Sequence, residues 1–287
     1  MSLFRFDRPS VVKIRDKAAT RHGRRFGNYV HQVLRLLFSW ALERGWMRGN
    51  PALGIKELRR PRNAPTVNRP WSDAERFVVL EEAPPHLLVP LALGMYAGLR
   101  EGDALRLPLS AYDGTAIELR TSKTGQRVWL PAARPLREIL DTALAARRRE
   151  TDQESEPGRQ RKQDRPQAMT LAVNSRGQPW TTSGFRASWR TFRLRLEAEG
   201  KVAPGLTFHG LRHTVATILR EEGVDLRAIA DLLGHATEGM ARHYSGSADL
   251  RRTTIATVAK LDRAENRRRT SAVKPSVKPK GGSYLKW

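Results

Sequence analysis

The sequence predicts a mainly α-helical protein with a small antiparallel β-sheet (α+β class). Apolar residues recur at spacings of three and four over several segments, including residues 28–44 and 181–199, which is typical of amphipathic helices. Only residues 116–120 and 127–130 alternate as strands do, and the six residues between them predict a hairpin. The net charge is +23, from 52 Lys and Arg against 29 Asp and Glu, which indicates a polyanionic partner such as nucleic acid.

Composition excludes several classes of protein. With 287 residues, 39% of them hydrophobic, the chain is long enough for one large or two modest domains with a proper core. The absence of cysteine excludes disulfides, thiolate metal sites and a cysteine nucleophile. No run of eighteen apolar residues and no signal peptide is visible, so we expect a cytoplasmic protein associated with the nucleoid.

The first 62 residues form a basic, helical segment. They contain fifteen basic and four acidic residues, a net charge of 15 − 4 = +11. A short helix is indicated around residues 11–14, and a longer one at 28–44 carries an apolar stripe with His31 and Arg35 off it. Three prolines between residues 61 and 70 predict an extended linker, assigned to residues 63–70.

The second domain is predicted to begin at Trp71. Ser72 is a suitable N-cap with Glu75 three residues later, as in a capping box. Residues 87–97 are apolar on all sides, which predicts a buried helix, and this helix leads into the segment GLREGDALRL. By itself, this segment suggests that Arg100 and Asp103 form an ion pair with a structural role.

Four further elements complete the predicted domain before its most informative stretch. They are a helix at 136–149, a disordered loop at 150–167, a short strand at 169–173 and a helix at 181–199. Lys123 lies near the tip of the predicted hairpin, where a lysine is ordinarily a solvated charge. Beyond a final helix at 250–261, the tail from Arg263 has eight basic residues and one acidic residue, and we expect a disordered polycation.

The stretch TFHGLRHTVATILREEGVDLRAIADLLGHATEGMARHYSG, residues 207–246, combines three types of reactive side chain. His209 and Arg212 share one face of a helix predicted from residue 208 to 222, and His235 follows the end of a second helix at 226–233. Tyr244 follows two and a half turns later. A phenol with a pKa near 10 needs a base or cations nearby to act as a nucleophile, and an arginine can hold two phosphate oxygens. This set suits attack on a phosphodiester.

In this order, HGLRH, LLGH and YSG resemble the catalytic motifs of the tyrosine recombinase (phage integrase) family. GLREGD resembles the family's first arginine box and TSKTGQ its hairpin, and the resemblance covers residues 71–261 well and 28–52 weakly. The resemblance implies a catalytic domain at 71–263 between a core-binding segment at 1–62 and a basic tail at 264–287. That first segment is short for such a domain, and we expect a partial DNA clamp or a missing N-terminal part.

The resemblance also implies site-specific DNA recombination, by integration or excision, without a metal or cofactor. The implied catalytic residues are Arg100, Lys123, His209, Arg212, His235 and the nucleophile Tyr244, with Asp103 supporting them. Candidate DNA contacts are Arg24, Arg25, Arg35 and Lys123. We assigned His213 to packing because one residue turns it about 100° from Arg212 around the helix.

The implied partners are double-stranded DNA, three further copies in a homotetramer assembled on DNA, and accessory DNA-bending proteins. The free protein is expected to be monomeric because its net charge is self-repelling. Two alternatives stay open at this point: DNA relaxation of the type IB topoisomerase kind, which uses the same chemistry on one duplex, and a catalytically inactive DNA-binding member of the family. An RNA-binding protein would leave the Arg, His and Tyr pattern unexplained.

Overall fold

The structure is a computed structural model that describes residues 6–61, 63, 67–154 and 168–272. The chain divides into two compact units, Met1–Thr66 and Val67–Trp287. The described residues form eleven α-helices, one two-stranded antiparallel sheet and one short 3-10 helix, which confirms the predicted fold class. In the described part of the chain, no helix combines the length and apolar character needed to cross a membrane.

The first unit is built on two helices, α1 (Arg8–His22) and α2 (Arg24–Glu43). They cross closely at Gly27, where an added Cβ would lie 2.7 Å from the Ala19 Cβ. Only glycine fits at that distance. A small core beneath α2 is made of Val11, Phe38, Ala41, Met47, Ala52 and Ile55.

The predicted apolar stripe of α2 is only partly correct. Phe38 and Ala41 are fully buried, but Val33 and Leu37 are 62% and 42% exposed. His31, predicted to lie off the buried face, is 4% exposed and its Nε2 lies 3.1 Å from the Ala52 carbonyl oxygen. Because α2 is apolar on two opposite sides, periodicity could not identify the side that packs.

The first helix of the second unit starts where its capping residues predicted. Ser72 and Glu75 form a capping box at the start of α3 (Asp73–Glu82). Burial opposes ionisation of Glu75, but hydrogen bonds from Arg69 and from the Ser72 amide prevail and lower its pKa to about 2. Of the predicted linker, only residues 63 and 67–70 are described.

The core of the second unit surrounds α4 (Pro85–Ala97), which is buried as predicted. It crosses α8 (Phe208–Glu221) at Gly94, where a Cβ would lie 2.8 Å from the Phe208 ring. Trp71 holds the start of α8, because its ring N–H donates to the Thr207 carbonyl at 3.0 Å. Helix α7 (Thr182–Ala198) contributes the predicted core residues Phe185, Trp189, Phe192 and Leu196.

The predicted hairpin is present, with β1 (Ala116–Arg120) paired to β2 (Arg127–Pro131) in antiparallel register. It follows α5 (Glu101–Arg106) and the 3-10 helix Leu109–Ala111. The strand predicted at 169–173 is wrong, since only isolated bridges form there, at Thr170 and Val173. The turn that follows, closed by Gly177, gives this segment no long partner strand.

The loop predicted to be disordered from residue 150 is wrong at its start. Helix α6 (Arg134–Glu154) continues through the first five of those residues. The rest of that loop, residues 155–167, lies outside the described residues.

Three helices follow α8: α9 (Leu226–Leu232), α10 (Glu238–Tyr244) and α11 (Arg251–Ala272). Helix α10 was not predicted, because its seven residues are too few to show a period. Helix α11 starts one residue later than predicted and extends to Ala272, so the first part of the tail predicted to be disordered is helical. Residues 273–287 lie outside the described residues.

Candidate active site

Tyr244 lies at the end of α10 and is almost completely buried, with 6% exposure. Its ring stacks on His235 at a centroid distance of 4.7 Å and contacts His213 at 4.4 Å. Its hydroxyl lies 3.0 Å from Nε2 of His209. The phenol is therefore held in one position by two rings and by one hydrogen bond through its oxygen.

Arg212 is buried beneath the tyrosine, with 2% exposure. Its Nη1 donates to the Gly98 carbonyl at 2.7 Å and its Nη2 donates to the Leu233 carbonyl. The guanidinium carbon lies 5.5 Å from the centre of the Tyr244 ring. Burial, followed by repulsion from Arg100, lowers its pKa to about 10, so the side chain stays cationic at neutral pH. Its Nε is buried without an acceptor.

Arg100 reaches the same site from another part of the chain, as the residue that precedes α5. Its Nη1 lies 4.0 Å from Oδ2 of Asp103 and has no hydrogen-bond acceptor. The other oxygen of Asp103 accepts the backbone N–H of Ser122 at 3.0 Å. Asp103 therefore links the arginine to the hairpin turn, a connection that the local sequence did not reveal.

Lys123 is exposed in the turn between β1 and β2. Its charge is among those that lower the pKa of His209, so the turn brings a cation within electrostatic range of the site. The turn is also held against the residue that precedes His235. A Cβ on Gly234 would lie 3.0 Å from the side chain of Thr121, and the Thr124 hydroxyl faces the Gly234 carbonyl at 3.5 Å.

The two site histidines are neutral at physiological pH. Burial is the largest cause and nearby cations the next, and together they lower the pKa of His209 to about 4 and that of His235 to about 3. Both ring nitrogens of His235 are buried without a partner. A neutral imidazole can accept a proton at one nitrogen, and the unpaired N–H at the other can donate to an anion.

These depressed pKa values predict how stability depends on pH. Below pH 6.5 the unfolded chain binds protons at His209 and His235 that the folded chain excludes, so the free energy of unfolding should fall as pH falls from 6.5 towards 4. Thermal melting of the wild type and of His235→Asn between pH 7.5 and 4.5 tests this. The variant should show a shallower slope, whereas exposed His22→Asn should match the wild type. Parallel slopes for His235→Asn and wild type would contradict the prediction.

His213 belongs to the site more directly than its predicted packing role implied. Its Nδ1 lies 3.2 Å from the Tyr244 carbonyl oxygen, and its ring contacts the rings of His209 and His243. The sequence contained one signal for this position. His213 follows His209 by four residues and therefore lies on the same face of α8.

The predicted DNA contacts Arg24, Arg25 and Arg35 lie in the first unit and are not part of this cluster. Arg24 is half-buried and donates to the Leu58 carbonyl at 2.9 Å, so it has a structural partner. Arg25 and Arg35 are exposed. Among the described residues, no group of three His, Asp or Glu side chains is arranged to hold a metal ion.

Comparison with known proteins places this chain in a family. The phage integrase family profile matches residues 80–251, which is more than half of the chain. The chain therefore belongs to the phage integrase family, which confirms the resemblance seen in its motifs.

Curated relatives include the tyrosine recombinase XerC of Haemophilus ducreyi, 31% identical over 222 residues that cover 74% of this chain and 65% of that protein. XerC of Rhodospirillum centenum is 30% identical over 74% of this chain and 59% of its own length. The chain thus spans less than two thirds of the length of these two relatives.

Solved structures share the fold at lower identity. A lambda integrase dimer bound to a COC′ core site has a TM-score of 0.65 and 19% identity, covering 85% of this chain and 81% of that one. The Tn1549 transposon integrase in complex with transposon right end DNA has a TM-score of 0.66 and 14% identity, covering 92% and 87%.

Proposed function

We propose that this protein is a site-specific tyrosine recombinase that cuts and rejoins DNA through a 3′-phosphotyrosyl intermediate. The observation that carries the proposal is the hydrogen bond of 3.0 Å between the Tyr244 hydroxyl and a neutral His209. A buried phenol paired with an unprotonated base, beside two arginines, suits nucleophilic attack on a phosphodiester.

The proposed reaction assigns one step to each of these groups. The Tyr244 oxygen attacks the scissile phosphorus while His209 Nε2 takes the phenolic proton, and the bond from phosphorus to the 5′-oxygen breaks. Lys123 supplies the proton that the departing 5′-oxygen needs. Attack by the 5′-hydroxyl of a partner strand reverses these steps and releases the tyrosine. Because the phosphotyrosyl ester conserves the bond energy, rejoining needs no nucleotide.

The binding of phosphate is supported by unpaired polar atoms. Nη1 of Arg100, Nε of Arg212 and both ring nitrogens of His235 are buried and have no hydrogen-bond partner among the described residues. Buried donors normally have acceptors, so an unpaired group of this kind points to a missing anion. A phosphate bound there would offset the positive charges of the two arginines. The pKa values of His209 and His235 would then rise towards the ordinary value of a histidine.

The role of Lys123 as general acid gives a specific prediction. Lys123→Ala should slow cleavage of an ordinary substrate by about 10²- to 10⁴-fold, the usual contribution of a positioned acid. A substrate with sulfur in place of the bridging 5′-oxygen should restore the rate, because a thiolate leaves without a proton. Lys201→Ala, which changes an exposed lysine of the second unit outside the cluster, is the matched control. A defect that persists on the sulfur substrate would assign Lys123 to another role.

A further proposal concerns the assembly of this chain on DNA. Lambda integrase has also been solved as a tetramer bound to a Holliday junction. We propose that this chain likewise assembles as four protomers on two DNA sites, since exchange cuts four strands and each site supplies one tyrosine. Helix α11 is the candidate contact, because Leu250, which precedes it, and its own residues Ile255, Val258 and Leu261 are large, apolar and exposed.

One experiment tests the function and this assembly together. With a nicked suicide substrate of a candidate recombination site, the full chain should form a covalent DNA adduct, and with intact sites it should exchange strands. A chain ending before Leu250 should still bind a single duplex site but lose synapsis and exchange. Relaxation of supercoiled DNA without exchange by the full chain would overturn recombination, and exchange by the truncated chain would overturn the role of α11.

A further inference from the structure

Helix α2 carries a second apolar face, directed away from the core of the first unit. At 100° per residue its members fall within about 100° of one another around the helix, opposite the buried residues Gly27, His31 and Phe38. All are at least 41% exposed: Phe26, Tyr29, Val33, Leu36, Leu37 and Trp40.

This outer face is larger than a free protein surface normally tolerates. A helix that is apolar on two opposite sides is ordinarily covered on both, and contiguous apolar patches mark interaction sites. Duplex DNA does not fit this face, because its aliphatic and aromatic side chains offer almost no donors to phosphate. The occupant must itself be apolar.

We propose that the outer face of α2 packs against the same face of a second copy of this chain, with the two helices antiparallel. Val33 lies midway along the face and would meet its own copy near the two-fold axis. Phe26 would then face Trp40 of the second copy, and Tyr29 would face Leu37 of the second copy, so these four large side chains meet across the contact.

Two charged residues at one edge of the outer face favour the antiparallel arrangement. Arg25 and Glu43 are 18 residues apart, which is five whole turns, so both lie on the same edge of α2. Both are exposed, and within the described residues neither forms an ion pair. In an antiparallel two-fold pair the same edges meet, so Arg25 lies beside Glu43 of the second copy at each end. In a parallel pair these edges would lie on opposite sides of the contact, and neither charge would meet a partner there.

Size and net charge set the strength of the contact. Six mostly exposed side chains of this kind would remove on the order of 1,000 Å² from solvent over two copies, near the lower limit for a specific interface. The first unit has a net charge of +11, so the copies repel each other at low salt. Self-association should therefore be weak at low salt, where the free chain is expected to be monomeric, and should strengthen as salt rises, which is the reverse of DNA binding.

The absence of cysteine from the chain permits a clean test. Val33→Cys in the full chain, oxidised without DNA at about 0.5 M salt, where screening is nearly complete, should give a disulfide-linked dimer. Phe77→Cys, on an equally exposed residue of α3 in the other unit, is the control and should cross-link at least tenfold more slowly. Equal rates for the two variants, or no dimer with Val33→Cys, would overturn the proposal.

The predicted ion pair adds a second test in the same assay. In the Val33→Cys background, Glu43→Arg and Arg25→Glu should each slow cross-linking at moderate salt, and the two together should restore it. If cross-linking of the double variant stays slow, the antiparallel arrangement is excluded. Because no DNA is present, this result is independent of whether the chain recombines DNA.

Discussion

Tyr244→Phe should abolish formation of the covalent DNA adduct and leave duplex affinity near that of the wild type. The substitution removes one oxygen from a ring that His235 and His213 continue to hold. That oxygen lies 3.0 Å from His209 Nε2, and the loss of this one contact should cost little stability. Because no other tyrosine of the described residues lies in the cluster, we expect cleavage on a suicide substrate to fall below detection.

The matched control is Tyr96→Phe, which removes the same atom from a tyrosine of α4. Adduct formation by this control should equal that of the wild type. Binding is followed by electrophoretic mobility shift and adduct formation by denaturing gels. An adduct that persists in Tyr244→Phe would show that a different residue is the nucleophile.

The second large effect is expected at Arg100. Arg100→Ala should slow adduct formation by about 10²- to 10³-fold, as is usual for loss of one charge-stabilising donor. Its Nη1 has no acceptor in the free protein, and its contact with Asp103 is long at 4.0 Å. Folding should therefore be little affected, so the melting temperature should stay close to the wild-type value.

Arg212→Ala should behave differently and serves as the comparison. It would leave the buried carbonyls of Gly98 and Leu233 without their donor, which costs about 1–3 kcal/mol for each group. Both rate and melting temperature should then fall. Exposed Arg106→Ala, at the end of α5, should change neither. A large loss of stability in Arg100→Ala would show that Arg100 is structural, and an unchanged rate would remove it from the reaction.

Elements with strong local signals were predicted correctly. Ser72, Thr181 and Thr207 each cap the helix that was expected to follow, because a cap is satisfied by amides two or three residues away. Other elements depend on distant contacts. The segment around Thr170 and Val173 has strand composition but finds only isolated bridges, since strand formation needs a partner of matching length.

The buried face of α2 shows a different limit. Both faces are apolar, so the pattern alone is ambiguous, and the choice is made by the close approach of Gly27 to Ala19 of α1. That contact also leaves the outer face with Val33 and Trp40 open. Periodicity measures how apolar a face is but does not identify its partner.

What the sequence by itself determined is the family, the order of the reactive groups and the class of chemistry they suit. The chemical properties of arginine, histidine and tyrosine, and their order along the chain, are known from the sequence without a structure. Tertiary structure alone decided that His209, among the four histidines whose rings contact Tyr244, hydrogen-bonds to the phenol oxygen, and that Asp103 joins Arg100 to the hairpin. It also decided that His209 and His235 are neutral, because a pKa depends on burial and on charges brought close from distant parts of the chain.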